Sequence, residues 1–294
     1  MLSPMVYQTA SPTLIRSRTG RDHITDRLIA ERAPRMAAGV AWPLIRPLLY
    51  GVLDYGNARR MADAIAPLSG REALAFVSAM LAITVRARGL ERIPRRGRLI
   101  VVCNHPTGIA DGVAVYDALK GPRPDLMFYA NADARRVARG FDEVLIPVEW
   151  REDRRTREGA RLTLALTRQA MEAERALAVF PAGRLARRRG GALADPAWAG
   201  SAFSVARKYD AAILPMHLAG PRSRLFHFFD RFSGELRDIT LFHELLNKRG
   251  KAFALTIGAP VPAARLPADA GEAASAMKAY VEHVLPADPQ RPFA

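Results

Sequence analysis

From Leu99 onward, short apolar runs alternate with longer stretches of helical period, and this alternation leaves few folds open. The runs are "LIVVC" (99–103), "LMFYAN" (126–131), "EVLIPV" (143–148), "ALAVFP" (176–181), "AAILPMHL" (211–218) and "AFALTIG" (252–258). Between them lie "GVAVYDALK" (112–120), "TREGARLTLALTRQAMEAER" (156–175), "GSAFSVARKY" (200–209) and "GEAASAMKAYVEHVL" (271–285). The second of these puts Leu162, Leu166 and Ala170 on one helical face. Runs that are apolar throughout read as strands covered on both sides. Strands alternating with helices predict an α/β layer fold, with a mainly parallel or mixed sheet flanked by helices.

The first part of the chain reads differently. Residues 1–35 are polar and basic, with Pro4, Pro12 and Pro34, and are expected to form a flexible N-terminus. Residues 36–88 read as helical and include two apolar stretches, "MAAGVAWPLI" (36–45) and "ALAFVSAMLAITV" (73–85). Neither reaches the ~18–20 unbroken apolar residues of a spanning helix. Both suit a core helix or one lying in a bilayer interface, and the segment is expected to associate with membrane. The basic connector "RGLERIPRRGR" (88–98) marks a boundary, giving an α/β domain over 89–285 and a Pro-rich tail over 286–294.

The formal net charge is +15, and lysine occurs only at 120, 208, 248, 251 and 278, so arginine dominates. Such a surface suits an anionic bilayer, a phosphorylated small molecule or a nucleic acid; it also suits plain solvation. No nucleic-acid-binding motif or basic–aromatic interleaving is present, so nucleic acid is not the expected partner. The single cysteine, Cys103, sits inside an apolar run and reads as a small buried hydrophobe. No internal disulfide can form, and the N-terminus lacks the apolar core of a signal peptide.

In parallel sheets ligands bind beyond the carboxyl ends of the strands. Three polar or glycine-containing segments follow strand ends here: "NHPTGIADG" after Cys103, "PAGRLARRRGG" after Phe180 and "LAGPRSR" from Leu218. In the first, Asp111 can fix the tautomer of His105, whose other ring nitrogen would then act as a general base. The alternative is a capping histidine beside an exposed helix carboxylate. No G-x-S-x-G is present, so the nucleophile would belong to the substrate. In the second, Gly183 permits close backbone approach, and Arg184 and Arg187 offer donors to a phosphate or carboxylate; a solvated basic loop is the alternative. No metal-ligand spacing, phosphate loop or G-x-G-x-x-G is found, so neither metal nor bound cofactor is expected. His217, within a strand run, reads as a satisfied core histidine.

Together "NHPTGIADG", "FPAGR" (180–184) and "ILPMHLAGPRSRLFH" (213–227) resemble the motif series of the glycerolipid acyltransferase family, the lysophosphatidate-acyltransferase-like group. The stretch 220–261 looks most like its hemolysin-like bacterial subgroup, which includes relatives of lyso-ornithine-lipid acyltransferases. The resemblance covers about residues 88–262 and departs in places. Five residues separate His105 from Asp111 where the family has four. Ala182, Arg184 and Leu185 stand where the family carries glutamate, threonine and arginine. The resemblance implies an O-acyltransferase that moves a fatty acyl group from acyl carrier protein or coenzyme A to a lysolipid hydroxyl. His105 would be the base and Asp111 its orienting carboxylate. Asn104, Thr107, Gly108, Phe180, Pro181, Gly183, Arg184 and Arg187 would contact substrate, and Gly108 lies where backbone amides would serve an oxyanion. It also implies attachment to the cytoplasmic face of the inner membrane, peripheral or monotopic. Lyso-ornithine lipid as acceptor and a silent lipid-binding relative are the alternatives.

Overall fold

The computed structural model describes residues 23–149, 155–189 and 192–294. Helices α1 (Ile24–Arg32), α2 (Pro34–Ala37), α3 (Trp42–Val52), α4 (Tyr55–Ile65) and α5 (Gly70–Leu81) precede the sheet. Then come β1 (Thr84–Arg88), β2 (Leu99–Cys103), α6 (Ile109–Leu119), β3 (Met127–Asn131), α7 (Asp133–Val137), β4 (Leu145–Val148), α8 (Arg157–Glu172) and β5 (Ala176–Val179). A hairpin, β6 (Arg187–Arg189) and β7 (Ala192–Ala194), leads to α9 (Ser201–Tyr209) and β8 (Ala212–Ala219). The chain closes with α10 (Arg224–Phe229), α11 (Gly234–Ile239), α12 (Leu241–Leu246), β9 (Ala252–Ile257) and α13 (Ala270–Ala279), which runs into a π-helical turn at Tyr280–Val284.

The main sheet has seven strands in the order β1-β9-β8-β2-β5-β3-β4. Every pairing is parallel except β8 with β9, so the expectation of a mainly parallel sheet flanked by helices holds. Strand β2 sits at the centre and all five of its residues are buried. Its pleat sends Leu99, Val101 and Cys103 toward one face, against α4, α5 and α6. Ile100 and Val102 go to the other face, against α9 and α13. Cys103 is buried, and burial raises its thiol pKa well above the usual range. On α8, Ala170 and Met171 are buried and Leu166 packs beside them, while Leu162 faces outward.

The N-terminal region departs from expectation in two places. Residues 24–32, read as loose, form α1, which the His23 side chain caps by accepting from the Thr25 amide at 3.1 Å. Asp26 on α1 accepts from the Tyr50 and Tyr55 hydroxyls at 2.7 and 2.5 Å, so tertiary contacts offset its weak periodicity. Second, the apolar stretch 73–85 is not one element. Helix α5 stops where Ala82 turns left-handed at φ 44°, and Thr84 begins β1, which pairs with β9. The β-branched "TV" and the sheet edge decide its last residues. Residues 84–88 thus join the sheet on the near side of the expected boundary, and α4 and α5 bury their apolar faces in the sheet's core.

Helix α3 keeps its apolar face outward: Leu44, Ile45, Leu48 and Val52 are exposed. Among the described residues no helix is long and apolar enough to cross a membrane. The C-terminal tail docks, with Arg92 donating to the Pro289 carbonyl at 2.6 Å and the Tyr280 hydroxyl to the Arg291 carbonyl at 2.7 Å.

Candidate active site

Strands β8, β2 and β5 are parallel neighbours, so their carboxyl ends share one rim. The three segments singled out in the sequence follow these three ends and meet there. The Ala186 amide donates to the His105 carbonyl at 2.9 Å, and the Ser223 hydroxyl donates to the Thr107 carbonyl at 2.7 Å.

His105 stands just past β2 with its side chain 16% exposed. Its Nδ1 lies 2.9 Å from Asp111 Oδ2. Asp111, in the first turn of α6, is fully buried. Its Oδ2 also accepts from the Thr107 amide at 2.9 Å and the Gly108 amide at 3.1 Å, while its Oδ1 accepts from the Thr107 hydroxyl. A buried carboxylate surrounded by donors acts only as an acceptor, so Nδ1 is the donor of this bond, and in the neutral ring the lone pair then lies on Nε2. That is the tautomer a general base needs. The alternative of an exposed helix carboxylate does not hold.

The extra residue between His105 and Asp111 is absorbed in the turn. Gly108 takes φ 106° and ψ −148°, a left-handed conformation that L side chains rarely adopt. A Cβ there would also come within 3.2 Å of Leu185. Phe180, at the end of β5, stacks on the imidazole with ring centroids 4.3 Å apart and planes 24° apart. Gly183 has φ 62° and donates to the Phe180 carbonyl at 2.9 Å, closing the turn that holds this ring.

Several expected substrate contacts have other employment. The Asn104 amide is fully engaged by the main chain of Leu218, donating to its carbonyl at 2.9 Å and accepting from its amide at 2.7 Å. It extends the β2–β8 pairing and fixes the turn rather than facing a ligand. The Thr107 hydroxyl serves Asp111. The Thr107 and Gly108 amides, expected to face an oxyanion, are likewise taken by Asp111. The Pro181 carbonyl accepts from the Ala199 amide at 2.9 Å. Arg184 is exposed, and Arg187 lies on β6 with a buried Nε that has no hydrogen-bond partner among the described residues. His217 Nδ1–H donates to the Val281 carbonyl at 2.9 Å, and burial lowers its pKa, as a satisfied core histidine requires.

Two supports were not singled out in the sequence. Asp195 receives the His105 main-chain amide at 3.1 and 3.2 Å. On the other side, Lys248 Nζ donates to Ser223 Oγ at 3.1 Å and pairs with Glu244 at 2.8 Å, both side chains about 1% exposed. The Lys248 ammonium holds the Glu244 carboxyl below its ordinary range against the burial that would raise it. A Glu in the short run LFHELL and a Lys four residues on, just past its end, are the only sequence signal.

The family model described as "Acyltransferase" matches residues 27–285. Two lyso-glycine lipid O-acyltransferases are similar in sequence. That of Phocaeicola vulgatus is 28% identical over 185 residues, 60% of this chain and 64% of the relative. That of Bacteroides thetaiotaomicron is 25% identical over 184 residues, 60% of this chain and 66% of the relative. The match therefore spans just under two thirds of these relatives' length. Among solved structures, the 1-acyl-sn-glycerophosphate acyltransferase PlsC of Thermotoga maritima aligns at TM-score 0.48 and 16% identity, over 90% of this chain and 98% of that one. A family match across the sheet, the His105–Asp111 pair and the flanking helices establishes that the chain belongs to the acyltransferase family.

Proposed function

We propose that the protein is an O-acyltransferase that moves a fatty acyl group from a thioester to a hydroxyl of a lysolipid. The observation that carries this reading is the buried Asp111 carboxylate holding His105 in the tautomer of a base, at a strand-end rim of an acyltransferase-family sheet. His105 Nε2 takes the hydroxyl proton as the lysolipid oxygen attacks the thioester carbonyl carbon. Collapse of the tetrahedral intermediate breaks the C–S bond, and the imidazolium returns the proton to the departing thiolate. Such a base contributes ~10²–10⁴-fold in rate. Asp111 stabilises the imidazolium formed on the way. With the Thr107 and Gly108 amides engaged, the oxyanion role falls in this reading to the first helical amides of α6, Ile109 and Ala110, which have no acceptor within the helix. The donor is acyl carrier protein or coenzyme A thioester.

The similarity to lyso-glycine lipid O-acyltransferases, together with an FPAGR segment that lacks the family's glutamate, supports an acceptor with an amino-acid headgroup. A headgroup carboxylate matches the guanidinium of Arg187. Lyso-ornithine lipid is the second acceptor of this class. The exposed column Leu44, Leu48 and Val52 on α3 supports peripheral attachment to a membrane, and exposed Phe228 and Phe232 are further apolar surface of this kind; the proposed leaflet is the cytoplasmic one.

The test is acyl transfer in detergent with labelled acyl-CoA or acyl carrier protein and a panel of lysophosphatidate, lyso-glycine lipid and lyso-ornithine lipid, with His105→Ala alongside. Product from one of the amino-acid lipids, lost in the variant, supports the reading. Product from no acceptor with folded protein refutes it in favour of a lipid-binding role.

A further inference from the structure

Asp195 lies 90 residues from His105 in sequence, in the connection between β7 and α9, yet both its oxygens accept the His105 main-chain N–H. It is 3% exposed. Its Oδ2 also accepts the Trp198 indole N–H at 2.9 Å, and its own amide donates to Glu282 Oε1 at 2.8 Å. Glu282 in turn pairs with Lys278 on α13. This clamp reaches the catalytic loop from the face of the sheet opposite α6, where Asp111 sits.

We propose that Asp195 is a positioning residue for the general base: as a carboxylate it grips the main chain of His105 and thereby sets the imidazole against Phe180 and Asp111. The proposal rests on the acyl-transfer reading above. A bond from an amide to a carboxylate is stronger than one to a neutral group. One amide shared between two oxygens, with an indole on the second, suits the ionised form and leaves no acceptor for a carboxyl proton. An asparagine of the same shape turns an NH₂ toward one of these donors. Keeping a charge here has a cost, because burial pushes the Asp195 carboxyl up to about 6. The Trp198 indole, the His105 amide and the charge of a protonated His105 pull it down, and Glu282 pushes it up. The other titratable neighbours are Cys103 on β2, whose thiol stays neutral, and Lys278 beside Glu282. Below about pH 6 the grip on His105 therefore loosens as Asp195 takes up a proton.

The experiment uses the full chain and two variants, with folding checked by thermal melting. Asp195→Asn is expected to lower kcat about 10- to 100-fold while the KM of each substrate stays within threefold, the cost of a slightly misplaced base. Trp198→Phe deletes a donor that keeps the carboxylate ionised, so the acid limb of kcat moves toward neutral pH. A limb set by His105 alone would stay in place or move the other way, because a neutral Asp195 favours the imidazolium less. Independently of turnover, the Trp198 indole N–H resonance is expected to titrate near pH 6 in the wild type and to stay flat in Asp195→Asn. The proposal is overturned if Asp195→Asn keeps kcat within threefold of wild type, or if Trp198→Phe leaves the acid limb unmoved or lowered. Should Asp195→Asn not fold, the direction of the Trp198→Phe shift decides alone. A wild type that transfers no acyl group would instead refute the functional reading.

Discussion

Asp111→Asn separates the charge of the orienting carboxylate from its shape. In the wild type, Oδ2 accepts three N–H groups, from the His105 ring, Thr107 and Gly108, and Oδ1 accepts only the Thr107 hydroxyl. An asparagine can place its carbonyl oxygen at the three N–H groups and its NH₂ at Thr107 Oγ1, whose hydroxyl rotates to accept. The tautomer and the turn are then preserved, and only the charge is lost. Two unit charges 4 Å apart attract by about 4 kcal/mol at an effective dielectric of 20. The pair here is closer, at 2.9 Å, but partly open to solvent on the His105 side. Losing roughly 2–4 kcal/mol from the imidazolium-like transition state corresponds to a fall in kcat of about 30- to 1,000-fold. The KM of acceptor and donor should be unchanged, because the charge acts only once the proton has moved. Asp111→Ala is the control: it strands three buried donors, the Thr107 amide, the Thr107 hydroxyl and the Gly108 amide, each costing about 1–3 kcal/mol, so the chain should lose at least about 3 kcal/mol of stability. The assay is steady-state acyl transfer beside urea denaturation. An Asp111→Asn enzyme within tenfold of wild type refutes the electrostatic argument. An Asp111→Asn chain as unstable as Asp111→Ala refutes the argument that its donors can be rearranged.

Other expectations concern the supports. Lys248→Met leaves Glu244 buried without its cation and should cost about 3–5 kcal/mol, with the double variant Lys248→Met/Glu244→Leu recovering most of it in urea titrations. Because burial raises the Asp195 carboxyl to about 6, its contribution to stability is fully present below the unfolded value near 3.9 and is lost as pH rises through 6. That loss is ~3 kcal/mol, so where it folds Asp195→Asn should show a flatter stability profile than wild type between pH 4 and 7 in thermal melts. Leu44 and Leu48 are 83% and 72% exposed, so replacing both by Asp should leave the melting temperature unchanged. Sedimentation with anionic vesicles should then show binding reduced by at least about tenfold.

The parts of the site that were legible in the sequence are the local ones. His105 and Asp111 are six residues apart, joined by a turn that Pro106 and Gly108 announce, and Phe180 ends a strand that the apolar pattern places beside β2. The split of residues 73–85 was not legible, because an apolar run has no period that separates a buried helix from the strand after it. The break is one left-handed residue, Ala82. Asp195 and Lys248 were invisible for another reason: each reaches the catalytic loop through a contact set by the whole sheet. The same physics explains why Asn104 and Thr107 read as ligands of a substrate. Polar residues at a strand end look available, but at 7% and 1% exposure they must find partners inside the protein. The nearest partners are the Leu218 main chain and Asp111. The "NHPTGIAD" segment is therefore mostly consumed in building its own turn, leaving the His105 ring as its outward-facing chemistry. Under the proposed acyl transfer, acceptor choice would then fall to residues that the turn does not use, and Arg187, next to the Ala186 whose amide holds the His105 carbonyl, is the one proposed above to meet a headgroup carboxylate.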